Sequence, residues 1–215
     1  NDRLPHALIF SGLEGVGKSS FAFRLARFLL TRDSSPMDGL FGGGEVTKIE
    51  TLNSPASHPA QAQITSGGHP DLLFIERTFD EKKDRRSAQL DVDEVRRIAP
   101  FLRRTAAYDD GYRIVIIDDC DTMNRNSQNA LLKILEEPPQ KTLLILITHR
   151  IGALLPTILS RAAIINFQPL ANDDIEKALA QKAPDIKGRE LDFVIDYAQG
   201  SLGSALHVAQ PHILL

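Results

Sequence analysis

Short apolar blocks alternate along this chain with longer stretches in which apolar residues recur every three or four positions. Five blocks, His6–Phe10, Leu72–Ile75, Arg113–Ile117, Leu143–Thr148 and Ala163–Phe167, are rich in Ile, Leu and Val and strand-sized. Such blocks predict buried strands of a parallel sheet covered on both faces. The stretches between them predict helices. One covers Ser19–Leu30 after a glycine-rich turn. A second covers Asp91–Ala106, with Asp91, Asp93 and Glu94 in its first turn and Arg103 and Arg104 in its last, matching the helix dipole. A third covers Asn126–Glu137 and stops at Pro138-Pro139, which cannot continue a helix. Strands alternating with helices predict a doubly wound α/β layer. After Pro169 the strand signal ends. Asn172, as a cap, opens a helix to Lys182, and Gly188–Ala198 and Ser201–Ala209 predict two more.

Two segments break the alternation. Ser34–Pro70 holds Gly42-Gly43-Gly44, prolines and many Ser, Thr and Gln residues, and predicts a long irregular excursion. Thr78–Ser87 (TFDEKKDRRS) predicts a charge-dense solvated loop. The chain opens at Asn1 without methionine or a signal pattern and enters a strand almost at once, the expectation for a piece trimmed at its front.

Composition narrows the classes. With 215 residues, 42% hydrophobic and 25% charged, the chain has the material for one mid-sized domain and a small second one. Its net charge of −3 argues against a protein that coats nucleic acid by charge alone. The longest apolar run, Leu143–Ile147, is far short of a membrane span. Cys120 stands alone, which excludes a disulfide framework and a thiolate zinc site and fits a reducing cytoplasm. It reads as a packed residue rather than a reactive thiol.

The chemistry is concentrated after the first strand. Gly12-Leu13-Glu14-Gly15-Val16-Gly17-Lys18-Ser19 fits G-x-x-x-x-G-K-[ST] between a strand and an amphipathic helix. Glycines let the backbone curl so that successive N–H groups and a helix N-terminus face phosphate. Gly12, Gly15, Val16, Gly17, Lys18, Ser19 and Ser20 are therefore the candidate nucleotide contacts, for ATP or ADP with Mg²⁺. Lys18 reaches the phosphates and Ser19 holds the metal. A second metal carboxylate is expected at Asp118, which ends the strand Ile114–Ile117. Asp119 falls where a hydrolysing enzyme usually has Glu. Its side chain is one methylene shorter, retreating by roughly 1–1.5 Å, and a misplacement of about 1 Å can cost ~10²-fold. His58 and His69 lack clustered partner ligands.

Three further motifs resemble the clamp-loader branch of the AAA+ proteins: Leu4-Pro5-His6-Ala7 before the P-loop, Asn124–Pro139 (NRNSQNALLKILEEPP) after Asp121, and Leu155–Arg161 (LPTILSR). Their order and spacing cover nearly all of the chain. The resemblance implies a RecA-like AAA+ P-loop domain with a five-stranded parallel sheet over residues 1–168 and a three-helix lid over 169–215, with the family's helical collar domain absent. It also implies a component of a DNA polymerase III holoenzyme without a polymerase active site. In that family a five-subunit ring opens a sliding clamp and places it on primed DNA. The implied partners are thus the motor and delta subunits, and through them the clamp and DNA.

Departures from the pattern choose among the family's branches. Thr148 matches the sensor-1 position, which touches the γ-phosphate. The motor subunits' sensor-2 arginine belongs in Gly-Ser-x-Arg-x-Ala-Leu. This chain reads Gly200-Ser201-Leu202-Gly203-Ser204-Ala205-Leu206, so Gly203 replaces it. Glycine there is similar to the stationary, delta-prime branch. Family members often carry four zinc-binding cysteines between the P-loop and the second strand; residues 31–70 hold none. The Ser-Arg-Cys motif reads Ser160-Arg161-Ala162, and the resemblance makes Arg161 an arginine finger acting in trans on a neighbour's ATP site. The basic residues Arg96, Arg97, Arg103 and Arg104 are interleaved with acids and read as a solvated face, while Lys133 borders the DNA channel by resemblance alone. The expectation is a delta-prime-like subunit with weak or absent hydrolysis. Its rivals are a catalytically active AAA+ ATPase, favoured by the intact Gly17-Lys18-Ser19 and Asp118, and a small-molecule kinase. The kinase would need an arginine-rich lid, and residues 169–215 offer only Arg189.

Overall fold

A computed structural model describes residues 4–31, 52, 59–80, 84–104, 106 and 111–209. Strand β1 (Ala7–Ser11) leads through the glycine-rich loop into helix α1 (Lys18–Leu30). Then come α2 (Pro59–Thr65), β2 (Leu72–Ile75), a hairpin of β3 (Phe79–Asp80) and β4 (Arg85–Arg86), α3 (Val92–Arg96) and α4 (Ile98–Leu102). The second half adds β5 (Arg113–Ile117), α5 (Arg125–Glu136), β6 (Thr142–Thr148), α6 (Pro156–Leu159) and β7 (Ala163–Asn166). Helices α7 (Asn172–Lys182), α8 (Arg189–Ala198) and α9 (Leu202–Ala209) follow.

The five long strands form one parallel sheet in the order β2-β5-β6-β1-β7. Strand alternation sorts the core into two layers. Ala7, Ile9, Val115, Ile117, Leu144 and Leu146 face a cluster with Ile98, Leu131, Leu135 and Ile158. Leu8, Phe10, Ile114, Ile116, Leu143, Ile145 and Ile147 face Ala22, Ala26, Leu29 and Ile64 on the other side. Burying each such aliphatic side chain contributes about 1.5–3 kcal/mol. Both faces are therefore covered, as the short apolar blocks predict. The last three helices enclose a separate cluster of Ile175, Leu179, Val194, Ile195, Ala198 and Ala205.

Several expectations are corrected. All four residues of β7 are exposed, with Ile164 at 43% and Ile165 at 40%, because β7 is the edge strand beside β1. The predicted Asp91–Ala106 helix is two short helices meeting at Arg97 and ending at Leu102. Pro100 has no N–H to give the Arg96 carbonyl four residues back, so the ladder cannot run through. Asp91 does cap the start, its Oδ1 accepting from Asp93 N at 3.0 Å. Asn172 is the first residue of α7 rather than its cap; Ala171 holds that position, and Asp173 and Asp174 supply negative charge in the first turn. Thr78–Ser87 contains the hairpin, pinned by the Arg86–Glu76 pair and by Ser87 N donating to Thr78 O at 2.8 Å. Within the predicted excursion, 59–65 is helical and Ile64 is buried. The rest of its first two-thirds, apart from residue 52, lies outside the described residues. His69 turns inward, its Nδ1 accepting from Asp71 N at 3.1 Å.

Candidate functional site

The glycine-rich loop joins the carboxyl end of β1 to the N-terminus of α1. In this order β1 stands between β6 and β7, so the crevice beyond its carboxyl end is the place where an open α/β sheet binds ligands. Gly15 (φ +76°) and Gly17 (φ +96°) adopt left-handed backbone that other residues seldom tolerate. No side chain caps α1 and no acid stands in its first turn, so the N–H groups there and the positive end of the helix dipole are left for a ligand. A cleft of about 380 Å³ opens over them. It is lined by Gly15–Ser20 and His149 on one side and by Leu170, Lys182, Leu202, Gly203 and Leu206 on the other.

Ser19 Oγ donates to Asp118 Oδ2 at 2.8 Å, which brings together the two predicted metal ligands, a hydroxyl and a carboxylate of the kind Mg²⁺ takes. The loop's left-handed glycines, the uncapped helix start and this pair fit a nucleotide–Mg²⁺ ligand. Lys18 is 3% exposed. Its Nζ donates to Gly12 O at 2.8 Å and Leu13 O at 2.6 Å and lies 2.9 Å from His149 Nδ1. Burial draws its pKa below the usual lysine value, against the pull of Asp118.

Asp119, two residues beyond β5, takes a left-handed conformation (φ 52°). Its Oδ1 lies 2.9 Å from His149 Nε2 and its Oδ2 accepts from Arg77 Nε at 2.8 Å. The His149 bond, reinforced by Arg77 against the effect of burial, holds its pKa at about 2. The same bond raises His149, opposed by burial and by Lys18. Asp119 therefore has both oxygens engaged by side chains. Thr148 is buried and its Oγ1 donates to Asp121 Oδ1 at 3.3 Å. Asp121 also accepts from His149 N at 3.1 Å and Arg150 Nε at 3.1 Å. Burial works to raise Asp121, yet these donors hold it below the usual carboxylate range. The side chain that reaches Lys18 from the end of β6 is thus His149, the neighbour of Thr148.

Arg161 stands apart from the cleft. Its Nη1 donates to Thr157 O at 2.9 Å and to Ser160 Oγ at 3.2 Å, and its Nη2 lies 3.1 Å from Glu136. Cys120 is fully buried, which pushes its thiol pKa well up.

Gly203, opposite the P-loop, contacts it directly: its N–H donates to Gly15 O at 3.0 Å. A Cβ on Gly203 would stand 2.8 Å from Gly15 Cα, and one on Gly15 would stand 2.3 Å from Ser201 Oγ. Two backbones approach here with no room for a side chain. Sequence reasoning passed over His149 and Arg77. A signal for both exists: each is a polar residue one or two positions beyond the carboxyl end of a strand, at the edge of the crevice.

A family model described as "DNA polymerase III, delta subunit" matches residues 1–171. DNA polymerase III subunit delta' of Pseudomonas aeruginosa is 32% identical over 91% of this chain and 53% of its own length. The subunit of the same name from Bacillus subtilis is 31% identical over 84% of this chain and 47% of its own. The chain thus spans about half the length of the curated relatives it matches. A solved DNA polymerase III gamma subunit-related protein from Thermotoga maritima shares the fold, with TM-score 0.55 at 21% identity over 95% of this chain and 52% of that one.

Proposed function

Because the chain belongs to the DNA polymerase III delta subunit family, we propose that it acts as a delta-prime-type clamp-loader subunit, helping to load a sliding clamp onto primed DNA in the cytoplasm. In this role it is a stationary member of the ring. Residues 1–168 form its AAA+ domain and 169–215 its lid. Its P-loop holds ATP or ADP with Mg²⁺ through Gly12, Gly15–Ser20 and Asp118 and turns it over slowly or not at all. Bound there, the nucleotide supplies the charge that Lys18 and the α1 N-terminus are arranged to meet.

The observation that carries this reading is Gly203. The position at which motor subunits are expected to present arginine is filled by a glycine packed backbone-to-backbone on Gly15. Without a cation at that position, α9 offers no arginine to charge developing on a phosphate, and the lid's basic residue on the cleft is Lys182 of α7. The double engagement of Asp119 by Arg77 and His149 supports the same conclusion, since a carboxylate so occupied is poorly placed to polarise water. Arg161, held on the surface by Glu136, supplies its charge to the ATP site of a neighbouring motor subunit.

Reconstitution tests the reading. The chain, carried in its full-length protein, is combined with motor and delta subunits, a sliding clamp and primed DNA, and clamp loading and ATP turnover are followed. Lys18→Ala should leave most of the complex's turnover intact, whereas Arg161→Ala should lower it by at least ~10-fold, well within what an arginine finger contributes. The reverse pattern contradicts the stationary role. A second reading, an ATPase in its own right, is favoured by the intact Ser19–Asp118 pair.

A further inference from the structure

The ammonium of Lys18 has three N–H donors. Two of them find acceptors in Gly12 O and Leu13 O, at 2.8 and 2.6 Å, and the ammonium lies 2.9 Å from His149 Nδ1. The first two belong to the loop the lysine itself closes. The third comes from the end of the neighbouring strand, from the residue that follows β6. Nδ1 accepts only when it carries no proton, which places the proton of a neutral ring on Nε2. Nε2 faces Asp119 Oδ1 at 2.9 Å, and an ionised carboxylate only accepts. Asp119 thereby sets the tautomer, and Arg77 fixes Asp119 through its other oxygen at 2.8 Å. A single line of contacts runs Arg77–Asp119–His149–Lys18.

We propose that His149, in the tautomer Asp119 imposes, is a positioning residue that holds Lys18 against its own loop when no phosphate is bound, and so competes with nucleotide for that lysine. The proposal deepens the reading that the P-loop takes a nucleotide and rests on it. Lys18 must give up an acceptor to reach a phosphate oxygen, and His149 is the acceptor outside the loop. The same contacts give Asp119 a task other than water activation: it orients a histidine.

The test uses His149→Ala, His149→Gln and Asp119→Ala, with fluorescent ADP and Mg²⁺ as the probe and nitrogen NMR of the histidine ring at about pH 8, above the ordinary histidine range. Without nucleotide, the wild-type ring should be protonated at Nε2 and bare at Nδ1, and Asp119→Ala should lose that preference. His149→Ala should bind ADP roughly 2- to 10-fold more tightly, the factor one hydrogen bond carries. His149→Gln, whose amide can accept from Lys18 and donate to Asp119, should return to wild-type affinity. A ring protonated at Nδ1, or an alanine variant that binds ADP no tighter than a wild type that does bind it, overturns the proposal alone. An Nε2-protonated ring with no ADP binding by any variant overturns the nucleotide reading and the competition with it.

Discussion

Gly203→Ala sets two effects of opposite sign against each other. Gly203 lies in the first turn of α9, where alanine is the better helix former by up to about 1 kcal/mol. Against this, the new methyl would stand 2.8 Å from Gly15 Cα and 3.5 Å from Gly15 O, with backbone rather than a flexible side chain as the obstacle. Overpacking of this kind costs about 1–3 kcal/mol. Prying the two segments apart also sacrifices the Gly203 N–H to Gly15 O bond, worth about 0.5–1.5 kcal/mol. The contact should win, leaving a net destabilisation of about 1–3 kcal/mol. At this chain length that lowers Tm by roughly 2–4 °C per kcal/mol. Urea unfolding and hydrogen exchange of the α9 amides measure it, with Gly152→Ala, whose new methyl meets nothing within 4 Å, as the control. Faster exchange in α9 and an earlier urea midpoint for Gly203→Ala alone are expected. A Gly203→Ala protein as stable as wild type or more so would show that helix propensity decides, and that the two glycines do not clamp the last three helices to the P-loop.

Ile145→Ala, at a fully buried position in the central strand β6, should cost about 2–5 kcal/mol in urea unfolding, and a loss under 1 kcal/mol would contradict the two-layer packing. Asp119 is held at about 2 against an ordinary 3.8, so its contribution is complete above about pH 4 and is lost as pH falls toward 2. After allowance for solvent screening this amounts to about 1–2 kcal/mol, and the stability gap between wild type and Asp119→Asn should close over that window rather than stay constant. Arg161→Ala breaks an exposed ion pair with Glu136 and should change the stability of the isolated chain by no more than about 0.5 kcal/mol; a larger loss would mark Arg161 as a structural residue. Cys120 should resist thiol reagents in the native protein and react on unfolding, and rapid native labelling would contradict its burial.

The sheet was legible because its strands alternate between two buried faces. Leu143, Ile145 and Ile147 serve one side of β6 and Leu144 and Leu146 the other, so the block reads as continuous apolar sequence. The same logic misled at β7, where Ile164 and Ile165 carry the composition of a buried strand on an exposed edge. The charges at the two ends of Asp91–Ala106 suit a single helix and carry no sign of the break before α4, which follows from Pro100 inside it. The P-loop residues and the Ser19–Asp118 pair follow from local spacing and chemistry, and the structure brings them together. His149 and Arg77 were not legible, because their roles depend on which strand ends converge on the crevice, a property of strand order rather than of local pattern.

Whether the chain holds a nucleotide and turns it over slowly or not at all is decided by titrating the purified chain with labelled ATP and Mg²⁺, then following turnover in the same sample with and without primed DNA. Binding that disappears in Lys18→Ala is expected, with turnover absent or far below roughly 1 per second. Turnover at roughly 1 per second or faster, the ordinary range for working enzymes, would contradict it and make the chain a motor.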